Sequence, residues 1–402
     1  MFKNLDEIPN KMLFLPADQN GREIYIFHLK QAIVVGESLF YPNPLLYTFE
    51  ENIIYRPIRE TIMSLAQIES ATHQFIPPTS YDSVVNDRVF FFIYNTDNYY
   101  HFLYDTLPYL ITFKHLRKTM KIKLLMNFPN HQMTKLYRFV IEFLEILGIT
   151  KDDILIVKDK TLYKNIYLST SYTHGINSNL PPREEIYSFY KRLSSITIHT
   201  KFPKKIYVSR RTWIHNDTTN IGTNYTQRRA MINETDLVEY LMSVGYFEVF
   251  TENLTTVEKI QMFKNATHVI GAAGGGISNV LFSPPSCNLL AICSPGFLDV
   301  NTRFKYSMCK VNSTIFSDTA HVGGGEFLNF MRVKYGDIIG EIVNISGSYI
   351  TISYSNQFVA GWNSNLKLKT ITVLENQCIK LDDGLNSPWI IDLDKIKNLT
   401  DI

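Results

Sequence analysis

The chain has 402 residues, with 40 Lys and Arg set against 38 Asp and Glu for a formal net charge of +2. That length exceeds one ordinary core and predicts two domains of roughly 150 to 200 residues each. The near-neutral balance carries no dense basic run, so it offers none of the electrostatic footprint that a nucleic-acid partner requires.

Cys287, Cys293, Cys309 and Cys378 show no Cys-x-x-Cys spacing and are too few to staple a chain of this length, so they read as reduced thiols. The N-terminal residues lack the apolar core of a secretory signal. No segment approaches the ~20 uninterrupted apolar residues of a membrane span. The expectation is a soluble intracellular protein without an integral membrane segment.

In chain order, residues 20 to 95 hold short β-rich runs, among them Glu23 to Phe27 and the continuous apolar stretch Arg88 to Tyr94 that a buried strand would show. Next come a strand over Lys121 to Met126, a helix over Gln132 to Leu147, strands near Ile154 and Ile166, and a helix over Arg183 to Leu193. This alternation predicts an α/β domain with a mostly parallel sheet. A second alternating series follows Pro203: strand Lys205 to Ser209, helix Glu234 to Val244, strand Phe247 to Phe250, helix Thr256 to Ala266, strand Thr267 to Ile270. Asn233 is placed as the N-cap of the first of these helices, Glu234 and Asp236 suit the positive end of its macrodipole, and Gly245 closes it. Residues 212 to 228 are polar and read as a loop of the kind that covers ligands. From Lys334 the texture becomes alternating β, as in Ile338 to Val343 and Ser348 to Tyr354, which predicts a small hairpin-built module.

Three groups of residues carry chemistry. In the segment Asn98 to Pro108, His101 and Asp105 lie four apart, on one face of a helix opening near Asn98. The surrounding run is aromatic and aliphatic, and such burial tunes pKa values; the plain alternative is a core helix whose His and Asp satisfy each other. The second group is the turn Gly271 to Asn279, between an apolar strand and Val280 to Phe282. Its small residues let backbone N–H groups approach a ligand, and a following helix N-terminus would favour phosphate. Gly274, Gly275, Gly276, Ser278 and Asn279 are the candidates there, against the alternative of a tight turn with no ligand. The spacing fits neither Gly-x-Gly-x-x-Gly nor a P-loop, which argues against a dinucleotide fold or an NTPase. Third, Arg210 and Arg211 stand at the C-terminal end of a strand, where open α/β sheets bind ligands and a guanidinium can clamp a diphosphate. Arg228 and Arg229, ahead of Asn233, are surface charge or a second anion contact.

Together these pieces resemble glycosyltransferase family 61, which includes plant xylan-decorating enzymes, animal protein O-linked N-acetylglucosaminyltransferases and many bacterial surface-polysaccharide enzymes. Asn98, His101, Phe102, Asp105, Leu107 and Pro108 fit the family's Asn-x-x-His-aromatic-x-x-Asp-x-Leu-Pro segment. Ile206 to Arg211 match its strand ending in Ser-Arg-Arg; Arg229, Asn233 and Glu234 match Arg-x-x-x-Asn-Glu; Gly271, Gly274, Gly276, Asn279 and Phe282 match its glycine turn. The chain departs from many members at Ala273, Ala291 and Tyr109, where His, Glu and Arg are common.

The resemblance implies an α/β, GT-B-like fold of two Rossmann-like domains facing a cleft. Residues 1–200 would form the acceptor-side domain, 201–333 the nucleotide-sugar-binding domain, and 334–402 a small β-rich C-terminal appendage. It further implies inverting, metal-independent sugar transfer in surface polysaccharide or glycan assembly. The donor would be a nucleotide-sugar, with a UDP-sugar favoured, and the acceptor a glycan or lipid-linked molecule. No other cofactor, no metal and no nucleic acid are implied, and the place of action would be the cytoplasm, including peripheral association with the inner face of a membrane. The only Asp-x-Asp, Asp392 to Asp394, lies in the far tail, away from every motif. In this scheme His101 deprotonates the acceptor hydroxyl and Asp105 orients it, with the reverse assignment as the alternative. Arg210, Arg211, Arg229 and the glycine turn would hold the donor. The competing function is a degenerate relative that binds a glycan or nucleotide without transferring it.

Overall fold

The apolar run from Val89 to Ile93 is buried to within 2%, as a strand covered on both faces must be. It ends the strand Ser83–Phe91, which lies between parallel neighbours Thr161–Ser169 and Lys123–Met126. The structure, a computed structural model, describes residues 2–35, 45–56, 78–94, 96, 98–128, 135–173, 181–196, 200–211, 229–297, 301–308, 310–322, 326–354, 369–381 and 386–400. The chain divides into two compact units, Met1–Leu193 and Ser194–Ile402. The loop expected over 212 to 228 lies outside the described residues, as do Arg228 and Cys309.

In the first unit, one sheet runs in the order Phe2–Asn4, Ile53–Arg56, Leu45–Thr48, Ile24–Val35, Thr161–Ser169, Ser83–Phe91, Lys123–Met126, Ile154–Ile156, with Lys11–Leu15 also paired to Ile24–Val35. The strands from Thr161–Ser169 onward are mutually parallel. Around Ile24–Val35 the pairing is antiparallel. The expectation of a mostly parallel sheet is therefore corrected to a mixed one. Leu45–Thr48 and Ile53–Arg56 are joined only by Phe49 to Asn52, far short of the dozen or more residues a parallel crossover needs. The expected helix from Gln132 begins later, at Arg138–Ile146, behind an extended Tyr137. Glu184–Leu193 forms the helix read from Arg183.

The second unit holds a fully parallel sheet in the order Phe247–Val249, Lys205–Val208, His268–Ala272, Asn288–Ile292, Asn312–Phe316. Counting strands along the chain, that is 2-1-3-4-5, a doubly wound order that reverses between Lys205–Val208 and His268–Ala272. Helix Glu234–Ser243 ends at Gly245, whose φ of +89° is left-handed. Gly245 N–H donates to Met242 and Tyr246 N–H to Leu241, the paired bonds of a Schellman stop.

The N-terminus of that helix differs from expectation. Asn233 occupies the cap position but makes no side-chain cap bond. Its amide instead donates to the Ile391 carbonyl at 2.9 Å and its Oδ1 accepts from Ile391 N–H at 3.1 Å. The side chain imitates a strand edge for the returning C-terminus, which outcompetes the local cap. Asn233→Ala is expected to cost about 1–3 kcal/mol and to speed amide exchange at Ile391; denaturant unfolding and hydrogen-exchange mass spectrometry measure the two effects.

The alternating texture after Lys334 is an antiparallel sheet in the order Lys369–Leu374, Tyr349–Tyr354, Ile338–Ser346, Arg332–Tyr335, Ile379–Leu381. Gly336 and Gly347, at φ +55° and +57°, open two-residue hairpin loops. Val333, Ile342, Ile350, Ile352 and Val373 form its own core. The chain then returns. Trp389, Ile391 and Ile396 are buried with Tyr207, Met231, Leu237 and Ile270 in the core of the parallel-sheet unit.

This return also corrects the reading of Asp392 to Asp394 as remote, since adjacent Ile391 is bonded to Asn233. Asp392 Oδ1 accepts from Lys395 N–H at the start of helix Leu393–Thr400, and Asp394 pairs with Lys397. Cys287, Cys293 and Cys378 are free thiols. Among the described residues no helix is long and apolar enough to cross a membrane.

Candidate active site

The His–Asp turn begins where Asn98 stops the preceding backbone. Its side chain accepts from His101 N–H at 3.2 Å and its carbonyl from Phe102 N–H at 2.8 Å, as an N-cap does. From His101 to Thr106 the coil widens to a π-helix, with Leu107 N–H reaching back five residues to Phe102 O. Pro108 has no N–H to continue that ladder; in the same register its partner would be Leu103 O. The Tyr190 hydroxyl donates to Leu103 O in its place. Burial, then the charge of Asp105, holds the Tyr190 phenol well above its ordinary pKa and keeps it a donor.

Within this turn His101 Nδ1 lies 2.6 Å from Asp105 Oδ2, and each residue is 7% exposed. A carboxylate accepts only, so the shared proton sits on Nδ1 and the lone pair of the neutral ring is on Nε2. This tautomer suits a base whose cation the carboxylate then stabilises. The Tyr100 ring meets the imidazole edge-on at 5.3 Å. Tyr109 stacks on Tyr94 at 3.9 Å, and burial pushes both phenols up in pKa. Arg22 had no signal in the sequence. Its guanidinium is pulled down in pKa by burial and pushed back by Tyr104, Asp18 and Tyr109, so a cation stands beside the turn from a strand-flanking position far upstream. Arg183 fixes the Arg22 backbone by donating to its carbonyl and to that of Pro16.

The second group gathers at the carboxyl ends of Lys205–Val208 and His268–Ala272, the point where the strand order reverses and open α/β sheets take ligands. Val208 and Gly271 are register partners. A Cβ on Gly271 would stand 2.6 Å from Ile277 Cγ2 and 3.0 Å from Val208 Cβ; one on Gly276 would stand 2.7 Å from Val208 Cγ1. These two glycines are dictated by packing. Gly274 is different, because its added Cβ would meet the Arg210 guanidinium at 3.1 Å. Arg210 and the glycine turn, far apart in sequence, are thus brought together.

Ser278 donates to Gly275 O at 2.6 Å and Asn279 to Gly276 O at 2.8 Å, both side chains buried. They close the turn on itself. The expected helix after the turn is a six-residue 3₁₀ segment, Ile277–Phe282, cut short ahead of Pro284 and Pro285. Its dipole is too short to carry anion binding by itself.

Glu234 holds Arg210 in place. Its Oε1 accepts from Arg210 N–H and from the Tyr207 hydroxyl, each at 2.8 Å, and it is 1% exposed. Burial pushes this carboxyl up while the bonds from Arg210 and Tyr207 pull it down. The sequence reading gave Glu234 a macrodipole role and a place in the Arg-x-x-x-Asn-Glu match; nothing in one sequence tells a buried acceptor from a solvated one. Arg211 turns to the sheet edge, where Nε and Nη2 grip Glu248 at 3.0 and 2.6 Å. A bidentate partner of this kind leaves the guanidinium committed. Arg211→Ala is expected to lower stability by about 2 kcal/mol in thermal melts and leave nucleotide affinity unchanged, whereas Arg210→Ala is expected to weaken nucleotide binding by at least about ten-fold by calorimetry.

Arg229 lies two residues ahead of Met231, which forms an isolated parallel bridge with Trp389. The Arg229 φ of +56° is left-handed, a conformation that costs a non-glycine residue about 1–2 kcal/mol. Its guanidinium carbon lies 4.8 Å from the Phe297 ring centre. Burial pushes Cys293, just past strand Asn288–Ile292, to about 11, and the Arg229 charge pulls it the other way.

Residues 99–290 match the family model described as Glycosyltransferase 61, a span that holds both the His–Asp turn and the glycine turn. This match assigns residues 99–290 to glycosyltransferase family 61 and indicates a glycosyltransferase. A comparison with curated proteins finds no match. An enzyme of that family takes a sugar donor and an acceptor. The matched span stops before Phe297 and before the returning tail that holds Arg229 and Asn233.

Proposed function

We propose that this chain is a GT-B-type, inverting, metal-independent glycosyltransferase that moves a sugar from a nucleotide-sugar, a UDP-sugar first among candidates, to a glycan or glycolipid acceptor in surface polysaccharide or glycan assembly. It acts in the cytoplasm, at the inner face of a membrane where lipid-linked acceptors are reached peripherally. The observation that carries this reading is the 2.6 Å His101–Asp105 contact in a region matched to the glycosyltransferase family. His101 Nε2 takes the acceptor hydroxyl proton, the acceptor oxygen bonds to the anomeric carbon, and the bond from that carbon to phosphate breaks. The nucleoside diphosphate leaves with the electron pair. Arg210, Arg229 and the backbone of Gly274 to Gly276 neutralise it, the task a metal performs elsewhere. Asp105 stabilises the imidazolium until its proton is lost to water.

The test is a transfer assay with UDP-, GDP-, CMP- and dTDP-linked sugars, with the anomeric configuration of the product read by NMR and the assay repeated in EDTA. Inverted product undiminished by chelation is expected. Retained configuration or loss of activity in EDTA would overturn the mechanism, and nucleotide binding without any transfer would favour the binding-only relative.

A further inference from the structure

The left-handed Arg229 is held from the far end of the chain. Its N–H donates to the Asn386 carbonyl at 2.8 Å, and its own carbonyl accepts from the Trp389 indole Nε1 at 2.8 Å. Trp389 N–H donates to Ala230 O, and Ile232 N–H donates to Trp389 O. The short stretch from Arg229 to Ile232 is therefore a strand edge for residues 386 to 389. Trp389 is 1% exposed, and no part of its indole is needed at the surface. A buried indole must place its N–H on an acceptor, and the acceptor here is the Arg229 carbonyl, part of the left-handed backbone from which the Arg229 side chain leaves. Asn386 is tied in turn, its amide donating to Glu341 Oε1 at 2.7 Å on a strand of the antiparallel sheet.

We propose that Trp389 is a positioning residue for Arg229, so that the returning C-terminal segment completes the nucleotide-binding side of this enzyme. The proposal rests on the reading of Arg229 as a donor contact. Its physical content is that a guanidinium aimed from a strained backbone finds a diphosphate only while both flanking peptide groups are held. A purely structural role for Trp389 would be met by any aromatic ring of similar volume. The indole N–H is what a phenyl ring lacks.

The experiment is a double-mutant cycle on the full-length protein, using Trp389→Phe, Arg229→Ala and the pair. The probe is whichever of UDP, GDP, CDP and dTDP binds wild type most tightly, measured by calorimetry, alongside donor KM and kcat. Trp389→Phe is expected to weaken nucleotide binding roughly three- to ten-fold, to raise donor KM by a similar factor, and to leave kcat and acceptor KM within about two-fold. In the Arg229→Ala background the same change should add nothing, since its effect runs through Arg229. An equal loss in both backgrounds, or no loss in either while Arg229→Ala is weak, overturns the positioning role. Wild-type nucleotide affinity in Arg229→Ala overturns instead the reading beneath it. Should Trp389→Phe not fold, Asn386→Ala cuts the Glu341 tie, leaves the Trp389 indole in place and is held to the same outcomes.

Discussion

His101→Ala is expected to lower kcat by about 10²- to 10⁴-fold while nucleotide affinity stays within about two-fold of wild type. The imidazole belongs to the first unit and Arg210 with the glycine turn to the second, so under the proposed assignment its removal touches the proton transfer and not the donor. Asp105→Asn is the companion variant. Its amide would donate to Nδ1, stabilise the opposite tautomer and place a proton on Nε2, where the lone pair must be. A loss comparable to that of His101→Ala is expected, although the ring remains. If His101→Ala retains transfer and Asp105→Ala abolishes it, the carboxylate is the base and the assignment reverses. If both variants transfer normally, the pair is a satisfied core contact and the chemistry lies elsewhere.

Gly271→Ala should destabilise the second unit by about 1–3 kcal/mol, a fall of about 2–12 °C in melting temperature. The added methyl meets the branched carbon of Ile277, the Cβ of Val208 and, at 3.1 Å, the Val208 carbonyl oxygen. None of these is the end of a flexible chain. Strand and turn must separate, and with them the two carboxyl ends that define the reversal point. Gly274→Ala provides the contrast, because among the described residues the one atom closer than 3.4 Å to its added Cβ is Nη1 of Arg210, the far end of a long side chain. Its melting temperature should hardly move, while nucleotide affinity falls as Arg210 is displaced. Calorimetric melts and nucleotide titrations of the two variants separate a packing glycine from a ligand-facing one. Equal stability of both would remove the distinction.

The second unit was the more legible half of the molecule. The alternation from Lys205 to Ile270 translates directly into parallel strands and helices because most elements there carry local signals that the structure honours, as Gly245 does with its Schellman bonds. In the first unit the run of short apolar segments before residue 95 identified strands but not their direction, which depends on connection length and on partners recruited from residues 161 to 169. The candidate site was legible where spacing is chemistry: His101 and Asp105, four residues apart, do touch. It was illegible where contacts are long-range. Glu234 beneath Arg210, Glu248 on Arg211, Arg22 beside Tyr104 and Tyr109, and Asn386 and Trp389 around Arg229 are separated by tens to hundreds of positions, and no periodic pattern encodes them. Asn233 shows the same limit from the other side. Its residue type is right for a cap, yet a strand arriving from the end of the chain claims both of its hydrogen-bonding atoms.

The burial of Trp389, Ile391 and Ile396 among residues 207 to 316 has a consequence for how the protein is made. Synthesis proceeds from the N-terminus and units fold as they emerge, so residues up to Leu193 can assemble while the ribosome is still at work. The parallel sheet must wait. The last residues it packs against emerge only after the whole hairpin module has been made, and its apolar faces stay open until then. Chaperone demand should therefore concentrate on this half, and nascent chains stalled just short of Trp389 should be protease-resistant at the front and digestible behind.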